Sequence, residues 1–233
     1  MASAVTEEYL ESIYNMTMEG EPVISARLAE KFEVSRATVS ETIHRLMADG
    51  YAVQNDDKSV ALTSAGRELT EKVLRRHRLA ERLLFDLLGF DWIGAHEQAH
   101  ALEHGMSDEV AQSISARLGH PLTCPHGNPI PGNASSGYTF LQEQRAFRLS
   151  EGHPGQEVTV VLISELVEDE SEFLRRLSDT DIHPQAVLHV VDSAPASDFI
   201  FETAGQMRSI PSALARKIWV KNDQPGSVDG SLN

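Results

Sequence analysis

Residues 25–50 read SARLAEKFEVSRATVSETIHRLMADG, and this stretch decides the fold of the N-terminal part of the chain. Ser25 and Ser35 each precede a helix-forming run, as N-cap residues do. In the second run, apolar residues such as Val39 and Ile43 recur at helical spacing and form one stripe. Two short helices around a tight turn are typical of a helix-turn-helix, whose second helix enters the major groove of DNA.

Further elements lie on both sides of this motif. Apolar residues at helical spacing predict a helix over 6–18, a long helix over 64–88, and shorter helices over 95–105 and 108–118. Two short β-like runs flank a polar tip at 55–58, which predicts a hairpin wing. The N-terminal part is therefore expected to be a winged helix-turn-helix followed by a helical block.

The pattern changes in the second half of the chain. Residues 121–155 are rich in Pro, Gly, Ser and Asn, which predicts a boundary and a mobile linker. Beyond residue 155, short β-rich runs such as EVTVVLISEL and DFIFETAG alternate with turn residues and predict a small antiparallel barrel. The fold class expected is mainly α with a small β domain.

The composition limits the function. The 233 residues are 41% hydrophobic and 24% charged and contain no apolar stretch of membrane-spanning length or signal peptide, so we expect a globular protein of the cytoplasm with no membrane contact. The net charge is −15, and residues 1–76 carry 9 Lys and Arg against 13 Asp and Glu, so DNA binding needs local basic groups or metal cations. Cys124 is the only cysteine, which excludes a disulfide and a thiolate cage, so a metal would be held by His and carboxylate.

The richest chemistry lies in residues 96–105, HEQAHALEHG. On a helix, His96, His100, Glu103 and His104 fall within an arc of about 100° and can face one site. A solvated helix face is the alternative reading.

Two further pairs support a metal site. His77 and Glu81 are four residues apart, and Glu8 and Glu11 are three apart, so each pair shares a helix face. Three helices could thus contribute eight nitrogen and oxygen ligands, enough for two metal ions.

Two enzyme readings compete with this one. HEQAH at 96–100 matches the zinc-hydrolase motif with Glu97 as general base, but the metzincin extension needs a Gly and a third His where this chain has Glu103 and Met106. A di-metal carboxylate oxidase needs a second E-x-x-H on a facing helix, and the only other one, at 41–44, lies in the expected recognition helix.

Five motifs in order, EEYLESIY, RLAEKFEVSRATVSETIHRL, RRHRLAERLL, HEQAHALEHGMSDEV and GNPIPG, resemble the diphtheria-toxin-repressor and manganese-transport-regulator family. The match covers about residues 5–132, and residues 151–221 are similar more loosely to the family's SH3-like domain. The resemblance implies a metal-activated repressor that binds a pseudo-palindromic operator as a homodimer. The domains expected are a winged helix-turn-helix over 1–72, a helical dimerisation and metal-binding domain over 73–132, a linker over 133–152, an SH3-like barrel over 153–221 and a disordered tail over 222–233.

The same resemblance implies two metal sites per subunit. One would use His77, Glu81 and His96, with Glu170 and Glu172 of the SH3-like domain, and the other would use Glu8, His100, Glu103 and His104, with Glu11 as a candidate. Iron-responsive relatives carry Met and Cys where this chain has Glu8 and His100, whereas manganese-responsive relatives carry Asp and Glu. The hard carboxylate of Glu8 suits Mn²⁺ or Fe²⁺, and we favour manganese.

The helix-turn-helix geometry assigns a DNA face. Its members are Ser35, Arg36, Thr38, Ser40, Glu41 and Thr42, with Arg45 on phosphate and Arg27, Lys58 and Ser59 as further backbone contacts. Without metal, the glutamates of the first helix and of the later helices should repel one another. A dication would allow the first helix to dock and would fix the angle between the two recognition helices.

Two minor hypotheses concern the segment before residue 133. GNPIPG is a candidate intramolecular ligand for the SH3-like domain, since such domains bind proline-rich segments. Cys124-Pro125-His126 is read as a proline turn with a buried thiol, with a metal site as the alternative.

Overall fold

A computed structural model describes residues 3–135, 137–167, 169–193 and 198–222. The chain divides into two compact units, one of residues Met1–Glu143 and Glu165–Leu174, the other of residues Gln144–Ser164 and Arg175–Asn233. The disordered tail expected from residue 222 lies, from residue 223 on, outside the described residues.

The first unit is helical with one small hairpin. Its elements are α1 (Ala4–Met18), α2 (Ser25–Lys31), α3 (Arg36–Ala48), β1 (Ala52–Gln54), β2 (Val60–Leu62), α4 (Ser64–Arg82), α5 (Trp92–Glu103), α6 (Asp108–Arg117) and α7 (Tyr138–Glu143). The long helix expected over 64–88 ends at Arg82 and continues as a π-helical turn over Leu83–Leu87. The succession of α2, α3, β1 and β2 is that of a winged helix-turn-helix, as the sequence predicted.

The helix-turn-helix folds around the apolar stripe seen in the sequence. Ser35 caps α3 by accepting a hydrogen bond from the Thr38 amide. Val39, Ile43 and other apolar residues of α3 are buried in one core with α1, α2 and the hairpin. The face of α3 opposite this core remains open to solvent.

Close packing of α4 and α5 positions the titratable residues. Ala95 and Ala99 of α5 are fully buried in one core with Leu79 and Ala80 of α4. Small side chains permit a close approach of the two helices, so the polar residues beside them in sequence meet between the helices.

The segment over 121–134 is held in place and is not the mobile linker that its composition predicts. Ile130 is fully buried. Three guanidinium groups spaced along α4 donate to main-chain carbonyl oxygens of this segment: Arg75 to Pro131 (2.6 Å), Arg78 to Pro129 (2.7 Å) and Arg82 to Thr123 (2.7 Å). Gly and Pro here shape an ordered turn, because the backbone groups find arginine partners.

The second unit contains an antiparallel six-stranded sheet in the order β3-β8-β4-β5-β6-β7. Its elements are β3 (Phe147–Arg148), β4 (Glu157–Ile163), β5 (Val187–Asp192), β6 (Asp198–Thr203), β7 (Gln206–Pro211), a short helix α9 (Ser212–Ala215) and β8 (Ile218–Asn222). Helix α8 (Glu170–Asp179), which the sequence did not predict, begins in the part of the chain that belongs to the first unit. None of the helices in the described ranges is long and apolar enough to cross a membrane.

Candidate metal centre

The carboxylate of Glu81 on α4 is the centre of a buried polar cluster. Its Oε1 atom lies 3.2 Å from each of three imidazole nitrogens, His77 Nε2, His96 Nδ1 and His126 Nδ1. Its Oε2 atom is buried and has no hydrogen-bond partner among the described residues. Three ring nitrogens around one carboxylate, with an unsatisfied oxygen beside them, form an arrangement that a cation would satisfy.

His77 connects Glu81 to a second carboxylate. Its Nδ1 atom lies 2.7 Å from Glu103 Oε2 on α5. The other oxygen of Glu103 faces His100 Nδ1 at 3.4 Å and His104 Nδ1 at 3.6 Å. The cluster therefore extends from a buried end at Glu81 to an exposed end at His100 and His104.

Three sets of potential ligands have all their donor atoms within 4.8 Å of one another among the residues that the structure describes: His77, His100 and Glu103; His77, Glu81 and His96; and Glu81, Cys124 and His126. The first two sets consist of residues singled out in the sequence. Each of the two shares a residue with another set, so the sets are parts of one connected cluster.

The third set corresponds to the metal site that the sequence offered as the alternative for Cys124-Pro125-His126, with Glu81 as an added member. The thiol of Cys124 is buried, as predicted for a proline turn, yet its Sγ atom lies 3.7 Å from His126 Nδ1 and belongs to the cluster. The Nε2–H group of His126 donates to the Trp92 carbonyl oxygen at 2.9 Å, which orients the ring so that Nδ1 faces Glu81. The Cys-Pro-His tripeptide was the signal in the sequence, and its place beside Glu81 keeps a metal contact of Cys124 as the alternative to a purely structural thiol.

Three further residues were expected at the metal sites. Glu170 contacts the cluster, whereas Glu172 and Glu8 are exposed. Glu170 Oε2 lies 3.2 Å from His96 Nε2, so this carboxylate joins the cluster. Glu172 is exposed, and its amide donates to Asp169 Oδ1 at 2.8 Å. Glu8 is also exposed, and neither residue belongs to a compact ligand set in the described part of the chain.

Charges within the cluster shift its pKa values in opposite directions. Burial alone would lower the pKa of His77, but Glu81 and Glu103 outweigh it and hold that pKa well above the usual range. Burial lowers the pKa of His96 as well, and hydrogen bonds to Glu170 and Glu81 reverse this effect and raise it to about 10. Burial would raise the pKa of Glu103, but His100 and His77 bring it to about 2. In the metal-free protein, imidazolium ions thus balance the carboxylates.

Glu11 on α1 responds to the same cluster. Burial raises its pKa to about 8, His77 acts to lower it, and the nearby charge of Glu103 adds to the increase. The residue is half-buried and lies outside the compact ligand sets of the described residues. The charges of His77 and Glu103 therefore reach Glu11 on α1.

These shifts predict how the stability of the metal-free protein depends on pH. The folded-state pKa values of Glu11 and His96 lie above their ordinary values of 4.5 and 6.5. The stability that they contribute is complete at low pH and is lost as the pH rises through the folded values. We expect the free energy of unfolding in chelator to fall by up to about 4 kcal/mol between about pH 6.5 and 8, because the folded protein there holds two protons that the unfolded chain releases, at about 1.4 kcal/mol per proton and pH unit.

Denaturant unfolding at both pH values measures this loss. Glu11→Gln should reduce the slope by the contribution of one proton, and an unchanged slope would contradict the role of Glu11. At acid pH, Glu103 acts in the opposite direction, because its folded pKa of about 2 means that stability is lost as the pH falls from about 4.5.

The expected DNA face is a second functional surface. The exposed members on α3 are Arg36, Thr38, Ser40, Glu41 and Arg45, and exposed His44 lies beside them without having been predicted. Thr42 is buried and its hydroxyl donates to the Thr38 carbonyl at 3.1 Å, so its expected place on the DNA face is corrected.

The remaining expected DNA contacts have local partners or lie in the wing. Ser35 is the cap of α3, and its Oγ accepts from the Thr38 amide. Lys58 is exposed at the wing tip, whereas the Ser59 hydroxyl donates to Asp57 Oδ1 at 2.6 Å. Arg27 is exposed and pairs with Glu21. The wing and the start of α3 thus present both cationic and acidic groups.

A winged helix-turn-helix joined to a helical layer with a buried cluster of imidazoles and carboxylates defines the class of metal-dependent DNA-binding regulators. Three family models match the chain: the N-terminal DNA-binding domain of iron-dependent repressors over residues 1–60, their metal-binding and dimerisation domain over 63–132, and the FeoA domain over 147–222. The chain belongs to the iron-dependent repressor family, as the five sequence motifs indicated.

Similar proteins extend over nearly the whole chain. The iron-dependent repressor IdeR of Mycobacterium leprae is 36% identical over 222 residues, which cover 93% of this chain and 96% of that protein. A diphtheria toxin repressor of Corynebacterium efficiens is 39% identical over 229 residues, covering 97% and 96%. A solved manganese-dependent transcriptional repressor in complex with manganese has a TM-score of 0.77 at 31% identity, covering 93% of this chain and 99% of that one. The predicted fold class is confirmed, including the SH3-like character of the β domain.

Proposed function

We propose that the protein is a transcriptional repressor that binds operator DNA as a homodimer when Mn²⁺ or Fe²⁺ occupies the cluster around Glu81. The observation that carries this proposal is the convergence of three imidazole nitrogens on one buried carboxylate oxygen, beside a second oxygen without a partner. The family match supplies the DNA-binding and dimerisation domains.

The donor chemistry fits a divalent ion. The sets around His77 contain only imidazole nitrogens and carboxylate oxygens, which suit Mn²⁺, Fe²⁺ and Zn²⁺. We propose the ligands His77, Glu81, His96, His100 and Glu103, with Glu170, His104 and Glu11 as supporting members, and we retain Glu8 and Glu172 as sequence predictions. Among relatives, the repressors of Mycobacterium are named iron-dependent and one solved repressor contains manganese, so both ions are to be tested.

The switch follows from charge. A bound dication supplies two positive charges where the metal-free protein uses protons on His77 and His96. Those nitrogens then need no proton, and the carboxylates of Glu81 and Glu103 no longer depend on imidazolium partners. Because Glu11 is influenced by the charges of Glu103 and His77, ion binding favours the docked position of α1 and, through its shared core with α3, one orientation of the recognition helix.

Operator recognition is proposed to use the exposed face of α3 and the wing. Arg36 and Arg45 are the cationic members, and Lys58 at the wing tip adds a phosphate contact. Glu41 can only accept hydrogen bonds, so a base contact from it would be to cytosine N4.

The central experiment measures operator binding. With a chelator, the purified protein should bind operator DNA only weakly. With Mn²⁺ or Fe²⁺ the affinity should rise by about a hundredfold or more, which requires a differential affinity of about 3 kcal/mol. Equal affinity in both conditions would refute metal gating.

Dimerisation is supported by an exposed apolar surface after α4. Phe85, Leu87, Leu88 and Phe90 are 41–59% exposed, although such side chains are usually buried in a monomer. A groove of about 340 Å³ lined by Leu83, Leu87, Val110 and Ile114, among others, continues this surface. We propose that a second copy of the chain covers it.

Leu88→Glu should therefore give a monomer in sedimentation experiments and reduce operator affinity at least tenfold, or about 1.4 kcal/mol. Leu122→Glu, at an exposed leucine that does not line that groove, is the matched control and should remain dimeric. A dimeric Leu88→Glu protein with full affinity would show that the interface lies elsewhere.

We also propose that the chain is not an enzyme. His96 and His100 of the HEQAH motif belong to the compact ligand sets, whereas Glu97, which is exposed and borders the same cleft, belongs to none of those sets among the described residues. Glu97→Gln should leave metal-dependent operator binding unchanged, whereas a hydrolase would lose turnover with the same substitution.

The hypothesis that the β domain binds GNPIPG stays a prediction, and the contacts of that segment favour a structural role. Ile130 is fully buried, and the carbonyl oxygens of Pro129 and Pro131 accept hydrogen bonds from α4. A segment held in this way would have to be released before another domain could bind it.

A further inference from the structure

Lys31 ends α2, the first helix of the helix-turn-helix, and its ammonium group is fully engaged away from the DNA face. Its Nζ atom lies 3.0 Å from the Glu165 carbonyl oxygen, 2.6 Å from the Val167 carbonyl oxygen and 3.1 Å from Glu170 Oε1. An ammonium group has three donors, and all three are used here. The side chain is only 18% exposed, so these contacts are largely protected from solvent.

The carboxylate of Glu170 stands between this ammonium group and the metal cluster. One oxygen accepts from Lys31 and the other lies 3.2 Å from His96 Nε2. His96 in turn contacts Glu81 through Nδ1 at 3.2 Å. A continuous path of charged contacts thus runs from Lys31 on α2 to Glu81 on α4.

The segment that carries these contacts is itself anchored in the first unit. Leu166 is buried in the same core as the helix-turn-helix. Glu165 Oε2 accepts hydrogen bonds from Asn15 on α1 at 2.7 Å and from Arg78 on α4 at 3.0 Å. The hydrogen bonds of Lys31 therefore hold the backbone at Glu165 and Val167 against α2, shortly before Glu170 in the chain.

Lys31, His96, His100 and Glu170 also line one open cleft of about 810 Å³. Solvent and ions therefore reach the side of the cluster where Glu170 is held. At this opening, the position of the Glu170 carboxylate depends on the contact of its Oε1 atom with the Lys31 ammonium group.

We propose that Lys31 is a positioning residue that couples the metal cluster to the DNA-binding helices by holding Glu170 against His96. This inference rests on the proposed function and adds a second connection to the one made by α1. Because coupling between two sites is reciprocal, a metal that binds more tightly when Lys31 holds Glu170 also stabilises the position of α2. Residues that orient metal ligands typically contribute about 10–100-fold to affinity.

The test compares Lys31→Met, Lys31→Arg and the control Lys72→Met, which removes an exposed lysine that is paired with Glu68 on α4. Binding of Mn²⁺ to the purified full chain without DNA is followed by the electron paramagnetic resonance signal of free Mn²⁺. We expect Lys31→Met to weaken Mn²⁺ binding by about tenfold or more, Lys31→Arg to restore most of the affinity, and Lys72→Met to match the wild type. Tighter binding by Lys31→Met would overturn the proposal, because Lys31 would then compete with the ion.

Operator affinity with saturating Mn²⁺ and with chelator gives the coupling. Lys31→Met should reduce the ratio of the two affinities, whereas an equal loss in both conditions would make Lys31 a simple charge near DNA and refute the inference. A wild-type protein without any metal dependence would refute the proposed function instead. The two failures are therefore distinguishable.

If Lys31→Met does not fold, Glu170→Gln alone is the test: it should weaken Mn²⁺ binding by about tenfold, and an unchanged affinity would overturn the proposal. If Lys31 acts through Glu170, adding a Lys31 substitution to Glu170→Gln should cause no further loss of Mn²⁺ affinity. Additive losses in this double variant would contradict the proposed path. Thermal unfolding in chelator checks that each variant is folded.

Discussion

Glu81→Gln is expected to abolish metal-dependent operator binding. The substitution keeps the shape of the side chain but removes the charge that three imidazole nitrogens share at 3.2 Å. Glu81 belongs to two of the three compact ligand sets, so Mn²⁺ affinity should fall by roughly a hundredfold or more, or about 2.7 kcal/mol. Operator affinity with saturating metal should then fall to the value measured in chelator.

Glu68→Gln is the matched control for this prediction, since it makes the same chemical change at an exposed position of the same helix, α4. Circular dichroism in chelator establishes that the Glu81 variant is folded before its metal response is measured. A Glu81→Gln protein that still increased its operator affinity with Mn²⁺ would show that the essential ion lies outside this cluster.

Cys124→Ser is expected to change the choice of metal more than the strength of the manganese response. The thiol is buried and belongs to the set with Glu81 and His126. Soft thiolate ligands favour Zn²⁺ over Mn²⁺, which prefers oxygen ligands. We expect the affinity for Zn²⁺ to fall at least tenfold, or about 1.4 kcal/mol, while the affinity for Mn²⁺ changes little.

The number of protons released provides an independent readout. Burial raises the pKa of the Cys124 thiol well above its usual range, so zinc binding has to displace its proton. Calorimetry in two buffers of different ionisation enthalpy should therefore detect one proton fewer on zinc binding to Cys124→Ser. Equal losses of affinity for both metals would indicate that Cys124 acts only through packing.

The sequence predicted the helical elements well where local periodicity determined them. The stripe through Val39 and Ile43 marked α3, and alternating residues marked β4. Helix α8 was missed because a strand pattern on both sides dominated the reading of that region. The segment over 121–134 was misread because composition does not reveal that arginines of α4 bind its carbonyl oxygens.

The site was predictable where its ligands share a helix. His77 with Glu81, and His96 with His100 and Glu103, were found from spacing alone. His126 was considered only together with Cys124, because it comes from a different segment and meets Glu81 only through the tertiary fold. Similarly, the burial of Thr42 depends on the packing of α3 and not on its position at the start of the recognition helix.

The hydrogen bonds from α4 to the main chain of residues 121–134 have a consequence for the evolution of metal preference. Arg75, Arg78 and Arg82 bind carbonyl oxygens, which any amino acid supplies, so the path of this turn does not depend on the side chains at 124 and 126. The main chain that carries Cys124 and His126 is therefore held by bonds that do not involve the side chains at these two positions. A lineage facing a new supply of trace elements could retune its regulator by one or two substitutions here while its promoters stayed the same.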